Sequence, residues 1–90
     1  MKRSIITVIG KDRVGIIAKV CVFLSEKGVN VLDISQTIVQ GYFNMMMVVD
    51  VTDTIVDYAD MTKEIRDLGI EIGVEIQCQR EEIFEKMHRL

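Results

Sequence analysis

The sequence predicts one α+β domain whose elements follow the order β-α-β-β-α-β, and three observations lead to this. The chain has 90 residues, the length of a single domain. Apolar residues make up 49% of it, enough to close a modest core without disulfides or a metal. Apolar positions switch between a spacing of two, typical of strands, and a spacing near 3.6, typical of helices.

The first strand and helix are separated by a turn between two glycines. Residues 3–9 are largely β-branched and apolar, which favours a central strand. Gly10 and Gly15 bracket the turn, and Asp12 is the expected N-cap of a helix that runs to about Lys27. Only a narrow band of this helix is polar. Packing on one sheet needs less apolar surface, so a second contact is expected.

A hairpin is expected in the middle of the chain. Residues 29–40 alternate between apolar and polar, as a half-exposed edge strand does. Gly41 and Tyr42 supply a short turn, and residues 43–51 form the return strand. The return strand is apolar on both faces near its middle, which again indicates contact with another molecule.

The second half repeats the helix and strand. Residues 52–54 open a helix in which Thr54 and Asp57 suit a capping box, and Gly69 closes it. Residues 70–79 then form a strand, and residues 80–90 a short terminal helix. Right-handed crossovers give a four-stranded antiparallel sheet of spatial order 4-1-3-2, with two helices on one face. This is a ferredoxin-like sandwich over residues 1–79, followed by the C-terminal helix.

Composition argues against several classes of protein. The net charge is −3 and no basic block occurs, so nucleic-acid binding is not expected. No apolar run approaches about 18 residues, and the apolar stretch near the N-terminus is too short for a signal peptide. Cys21 and Cys78 stand alone, without metal-ligand spacing, as buried thiols of a reducing compartment do. We therefore expect a cytoplasmic protein without metal or membrane span.

Catalysis is not expected either. The single histidine, His88, lies two residues from the C-terminus, whereas a general base needs a fixed site. Glu71 and Glu75 share a face of the predicted last strand, but four residues of strand separate them by about 13 Å. That is too far for joint acid–base chemistry. No catalytic residue and no cofactor site is predicted.

The turn from Gly10 to Gly15 is the most informative segment. Two glycines can merely permit a tight turn between a strand and a helix. The same turn also leaves free backbone N–H groups at a helix N-terminus, which attract a carboxylate or another anion. The residues alone leave both interpretations open.

Residues 10–17 (GKDRVGII) and 27–31 (KGVNV) together resemble the ACT domain, a family of βαββαβ regulatory modules that sense amino acids. The resemblance extends from Ile5 to about Gln79. It implies that Asp12 is a polar ligand contact, that Gly15 allows close backbone approach, and that Asn30 reaches the ligand from a neighbouring domain. Where serine-sensing members have His and Asn, this chain has Gly10 and Asp12, so serine is not supported.

The expected function is therefore a regulatory domain that binds an amino acid or a similar metabolite between two copies of the chain. The expected ligand-binding residues are Gly10, Lys11, Asp12, Arg13, Val14 and Gly15, with Asn30 supplied by the partner. A homodimer at least is expected, since the edge strand could pair with its copy. The alternative is a protein-interaction module that has lost ligand binding.

Overall fold

The computed structural model describes residues 2–11 and 14–82. Its elements are β1 (Arg3–Lys11), α1 (Ile16–Glu26), β2 (Asn30–Val39), β3 (Tyr42–Asp50), α2 (Tyr58–Ile72) and β4 (Val74–Arg80). The strands form one antiparallel sheet in the order β2-β3-β1-β4, which is the predicted order read from the other edge. The predicted ferredoxin-like fold is confirmed.

The core lies between the two helices and one face of the sheet. Alternate residues of β1, β3 and β4 point into it, as the period of a strand requires. The most completely buried apolar side chains are Ile6, Val8, Val20, Leu24, Met45, Met47, Val49, Met61, Ile65 and Ile76. The methionine run is therefore split, with Met45 and Met47 in the core and Met46 exposed on the opposite face.

The first loop is shorter than predicted. β1 continues through Gly10 to Lys11, because Gly10 pairs with both Phe43 of β3 and Val74 of β4. The N-cap of α1 is Gly15, in the left-handed region at φ 91°. The prediction that Asp12 caps this helix is wrong. Asp12 and Arg13 themselves lie outside the described residues.

The hairpin turn lies one residue earlier than predicted. Val39 pairs with Tyr42, so the two-residue loop is Gln40-Gly41 and not Gly41-Tyr42. Both loop residues have positive φ, 51° and 81°. Positive φ at both positions is the geometry of the hairpin turns that match the right-handed twist of strands.

A β-bulge interrupts the alternation of β2. The register with β3 shifts between Val31 and Asp33, so one residue of β2 is left without a partner. Val31 pairs with Val49, and Ile34 pairs with Met47. Both of those β3 residues are buried, so Val31 and Ile34 share the helix-facing side. The sequence pattern had placed them on opposite faces.

The boundary between α2 and β4 also differs from the prediction. The helix begins after Asp57, not at residues 52–54, and continues past Gly69 to its C-cap at Gly73. Gly69 is buried within the helix, where an added Cβ would lie 2.8 Å from the carbonyl oxygen of Val74. It allows α2 to lie close to β4 and does not end the helix.

The predicted terminal helix is only partly described. Arg80 belongs to β4, and Glu81 and Glu82 are helical. The remaining predicted helical residues, 83–90, lie outside the described residues.

Candidate functional site

The two segments expected to bind the ligand lie at opposite ends of the sheet within one chain. β1 and β2 are each antiparallel to β3, so they run parallel to one another. Lys11 and Val39 both pair with Tyr42 at one end, and Arg3 and Asn30 both pair with Asp50 at the other. At about 3.3 Å per residue, Asn30 is therefore roughly 25 Å from the first loop along the strands.

A glycine is needed at position 10 and at position 15 for different structural reasons. An added Cβ at Gly10 would lie 2.7 Å from Cγ1 of Val74, so Gly10 permits close packing of β4 on β1. At Gly15 no described atom lies within 4 Å of the Cβ position. Gly15 is required by its positive φ. The Cβ position of Gly10 is therefore filled by packing within the chain, whereas no described atom fills that of Gly15.

The start of α1 is a positively polarised helix end. Its first internal hydrogen bond is from Lys19 N–H to the carbonyl of Gly15, at 3.0 Å. The amides of residues 16–18 precede that bond and have no partner within the helix. Among the described residues no side chain caps this helix, and its first turn has no acidic residue. With Lys11 and Val14 exposed beside it, this end can attract an anion.

A small cavity of about 180 Å³ lies where the start of α1 meets the end of α2. It is lined by Val14, Ile16, Lys19, Glu71 and Ile72. Of these residues, only Val14 was predicted to bind a ligand. Lys19 belonged to the polar band of its helix, and Glu71 was assigned to a strand. The sequence carried no signal that would bring these two charges together.

A larger cavity of about 650 Å³ lies at the other end of the sheet. Its lining includes Ser4, whose hydroxyl donates to the Tyr58 oxygen at 3.0 Å, and Arg80, whose guanidinium lies 5.2 Å from the centre of the Tyr58 ring. The Tyr58 oxygen is also 3.5 Å from Sγ of Cys78. Burial raises the pKa of Tyr58 to about 12 and also raises the pKa of Cys78. Tyr58 and Cys78 are thus partnered with each other and hold their protons more tightly than free side chains do, as members of a structural cluster do.

The edge strand β2 is exposed on both faces. Leu32, Ile34, Ile38 and Val39 are each between 41% and 60% exposed. Val22 of α1, which packs beside β2, is 56% exposed. The N–H of Ile34 donates to the Asp33 carboxylate at 2.9 Å. This edge therefore combines apolar side chains with strand hydrogen-bonding groups, one of which Asp33 already occupies.

Residues 2–11 and 14–82 contain no cluster of three or more His, Cys, Asp or Glu side chains able to hold a metal ion. None of their helices is long and apolar enough to cross a membrane.

The described residues form a βαββαβ sandwich of the ferredoxin-like class, in which α1 starts at a glycine in the left-handed region. The sequence profile of the ACT domain matches residues 2–79, and the chain belongs to that family. ACT domains are regulatory ligand-binding modules.

Similar sequences and solved structures support this assignment. A UPF0237 protein of Bifidobacterium longum is 61% identical over 90 residues, which is 100% of both chains. The solved ACT domain protein from Streptococcus pneumoniae is 42% identical, with a TM-score of 0.81, over 93% of this chain and 94% of that one. The ligand-free regulatory subunit of aspartate kinase from Thermus thermophilus is 26% identical, with a TM-score of 0.67, over 87% of this chain and 50% of that one.

Proposed function

We propose that this ACT domain is a regulatory module that binds an amino acid or a related metabolite at an interface between two copies of the chain. The observation that carries the proposal is the start of α1. Its first amides follow Gly15, whose Cβ position has no described atom within 4 Å, and the domain belongs to a family of ligand-binding regulators. Helix ends of this kind attract carboxylates.

Dimerisation through β2 would bring the partner's Asn30 to the end of the sheet at which the first loop lies. If two β2 strands pair antiparallel, the partner's β2 begins where this chain's β2 ends. A two-fold axis between Ile34 and Ser35 would bring residue 30 of the partner beside Val39. Val39 lies at the same end of the sheet as the first loop. Asn30 is exposed and so is available for this role. Asp33 must release the Ile34 amide for the pairing to extend through it.

The proposed roles follow the charges of a zwitterionic ligand. Backbone N–H groups of the loop, with Arg13 and Lys11, hold the carboxylate, and Asp12 accepts from the ammonium. Asn30 of the partner both donates and accepts, so it can close the site from across the interface. Gly10 supports the loop through its contact with Val74.

Calorimetry tests the ligand proposal. We first expect a thermal-shift screen of amino acids, nucleotides and short organic acids to give a stabilising amino acid. Asp12→Ala and Asn30→Ala should then each weaken its binding by about 1–3 kcal/mol, the value of a hydrogen bond to a charged group. If both variants keep the parent affinity, the ligand lies elsewhere.

Mixing the two variants tests the shared site. In a mixed dimer, one site lacks both side chains and the other has its Asp12 and its partner's Asn30 intact. We therefore expect parent-like affinity at one of the two sites of an isolated mixed dimer, which is a quarter of all sites in a fully exchanged equimolar mixture. Failure of the mixture to bind, although mixed dimers form, would contradict a site built from two chains.

The second candidate is an interaction module without a ligand. The apolar side chains along β2 favour it, because exposed apolar strands commonly mark interfaces. A protein that ignores every metabolite in the screen but captures one partner through β2 would support this candidate.

A further inference from the structure

We infer that residues 83–90 pack with their apolar side chains on the face of the sheet opposite the helices, over Ile5. Both described helices lie on the other face, against Ile6 and Val8. The open face around Ile5 is thus a docking surface within the chain for the segment that follows Glu82. This contact is independent of the ligand and of pairing through β2.

Ile5 is buried on a face that neither described helix covers. Its partners across the sheet are Val48 and Gln79, and strand alternation points its side chain away from that of Ile6. Ile5 is nevertheless only 6% exposed, and among the described residues it is the one buried apolar side chain outside the core cluster. Side chains stand roughly perpendicular to a sheet, so neighbours in the same sheet flank Ile5 without lying over it. A further group therefore lies over Ile5.

The burial of this open face rises toward one end of the sheet. Along β1, Ile9 is 50% exposed, Thr7 is half-buried and Ile5 is buried. The other two strands show the same change from exposed to half-buried, between Met46 and Val48 of β3 and between Gln77 and Gln79 of β4. The covering group therefore lies at the end of the face where β1 begins and β4 ends.

The chain leaves β4 at this same end. β4 ends at Arg80, and the carboxylate of the next residue, Glu81, lies 3.3 Å from Nε of Arg3. Arg3 is two residues before Ile5 and shares its face, because side chains alternate along a strand. The segment that follows Glu82 therefore starts within reach of Ile5.

The segment has the composition and the length that the contact needs. Residues 83–90 read IFEKMHRL, and their apolar members fall on one side at helical spacing: Ile83, Phe84, Met87 and Leu90. As the helix that the sequence predicts, eight residues span about 12 Å. Ile9 is about 20 Å from Arg3 along β1. A segment that starts beside Arg3 thus reaches over Ile5 and stops short of Ile9, as the burial of the face requires.

The charges favour the same placement. Lys86 and Arg89 outnumber Glu85 in the segment. Asp33 pairs with Val48 and Asp50 pairs with Arg3, so both carboxylates lie near the covered end of the face. Opposite charges at the rim of an apolar contact fix its register.

Maleimide labelling of the full chain tests the contact. A cysteine is introduced by Ile5→Cys or, as the matched control on the same strand and face, by Ile9→Cys. Each is combined with the triple change Ile83→Ser/Phe84→Ser/Met87→Ser, which keeps the segment but removes apolar groups. We expect the triple change to speed labelling at position 5 about tenfold or more, because labelling of a protected site requires local opening. Labelling at position 9 should keep its rate.

Two controls separate loss of the contact from loss of the fold. Cys78 packs against the core on the helix-facing side, so mass spectrometry should find its labelling rate unchanged. Glu85→Gln alters the segment without removing an apolar group and should leave position 5 protected. If the triple change also exposes Cys78, the rates are measured with Phe84→Ser alone. Continued protection of position 5 while Cys78 stays protected would overturn the inference, because the sheet's own side chains would then suffice to bury Ile5.

Discussion

The ionisation of Tyr58 reports directly on packing at the end of the sheet where the larger cavity lies. Burial raises its pKa to about 12, and the hydroxyl of Ser4 donates to its oxygen. An unfolded tyrosine has a pKa near 10. The folded protein therefore holds its proton more tightly than the unfolded chain does. This contribution to stability is fully present below about pH 10 and is lost as pH rises toward 12.

Absorbance of the phenolate measures this directly. The chain has two tyrosines, so Tyr42→Phe leaves Tyr58 as the sole reporter. We expect its titration midpoint near 12 in the folded protein and near 10 in urea. The Tyr58→Phe variant should lose less stability than the parent between pH 10 and 12. A folded midpoint near 10 would contradict the described burial.

Gly10 shows that a glycine can serve either ligand approach or close packing within the chain, and that the sequence alone does not distinguish the two. The glycine-bracketed loop predicted a ligand contact, whereas Gly10 lies against Val74. We expect Gly10→Ala to lower the free energy of unfolding by about 1–3 kcal/mol through overpacking. Denaturant unfolding measures this loss. The double variant Gly10→Ala/Val74→Ala should lose less free energy of unfolding than the sum of the losses of the two single variants. Strict additivity of the two changes would contradict the contact.

At the scale of elements, Gly69 offers a test in which helix propensity and packing disagree. Glycine to alanine within a helix ordinarily stabilises by about 0.5–1 kcal/mol. The new Cβ would lie 2.8 Å from the Val74 carbonyl oxygen and 2.9 Å from Cγ1 of Ile76. We therefore expect Gly69→Ala to destabilise the domain in chemical denaturation.

The matched control for this change is Ile70→Ala, at the next position of α2. Ile70 is 73% exposed, so its truncation should change the free energy of unfolding by within about 0.5 kcal/mol. A Gly69→Ala variant as stable as the parent would show that α2 can move away from β4 without cost.

Element types were predictable, but several of their boundaries were not. Ile70 and Ile72 continue the alternation of β4, so the pattern extended that strand backwards into α2. Periodicity cannot separate a short apolar run in a helix from one in a strand. Thr54 and Asp57 matched a capping box, yet Thr54 donates its hydroxyl to the carbonyl of Lys27. That tertiary contact holds Thr54 in a loop, and the local sequence does not indicate the contact.

At the scale of the whole molecule, β2 is the surface expected to pair with a second copy. A lysine within an apolar interface introduces a charge that must be desolvated. We expect Ile38→Lys to shift the protein toward monomer in sedimentation at micromolar concentration. The control, Ile70→Lys, places the same charge at an exposed apolar residue of α2 and should leave assembly unchanged. A parent protein that is monomeric would contradict the shared site.

The candidate site was only partly predictable. Gly10 and Gly15 indicated where the first loop lies, because the start of α1 depends on the local sequence. Lys19 and Glu71 come together through the packing of two helices far apart in sequence. Asn30 lies far from the loop because β1 and β2 run in the same direction. That distance becomes apparent only once the pairing of both strands with β3 is known.

The strand order also governs how the chain can fold as it is synthesised. Three neighbouring strands, β2, β3 and β1, lie within the first 50 residues, whereas β4 completes the sheet beside β1. Until residues 74–80 leave the ribosome, one side of β1 has no strand beside it, although its Ile6 and Val8 belong to the core. Unpaired apolar strands of this kind are prone to aggregate. A chain whose synthesis pauses after β3 thus exposes an aggregation-prone edge of β1, which β4 covers once it has been made.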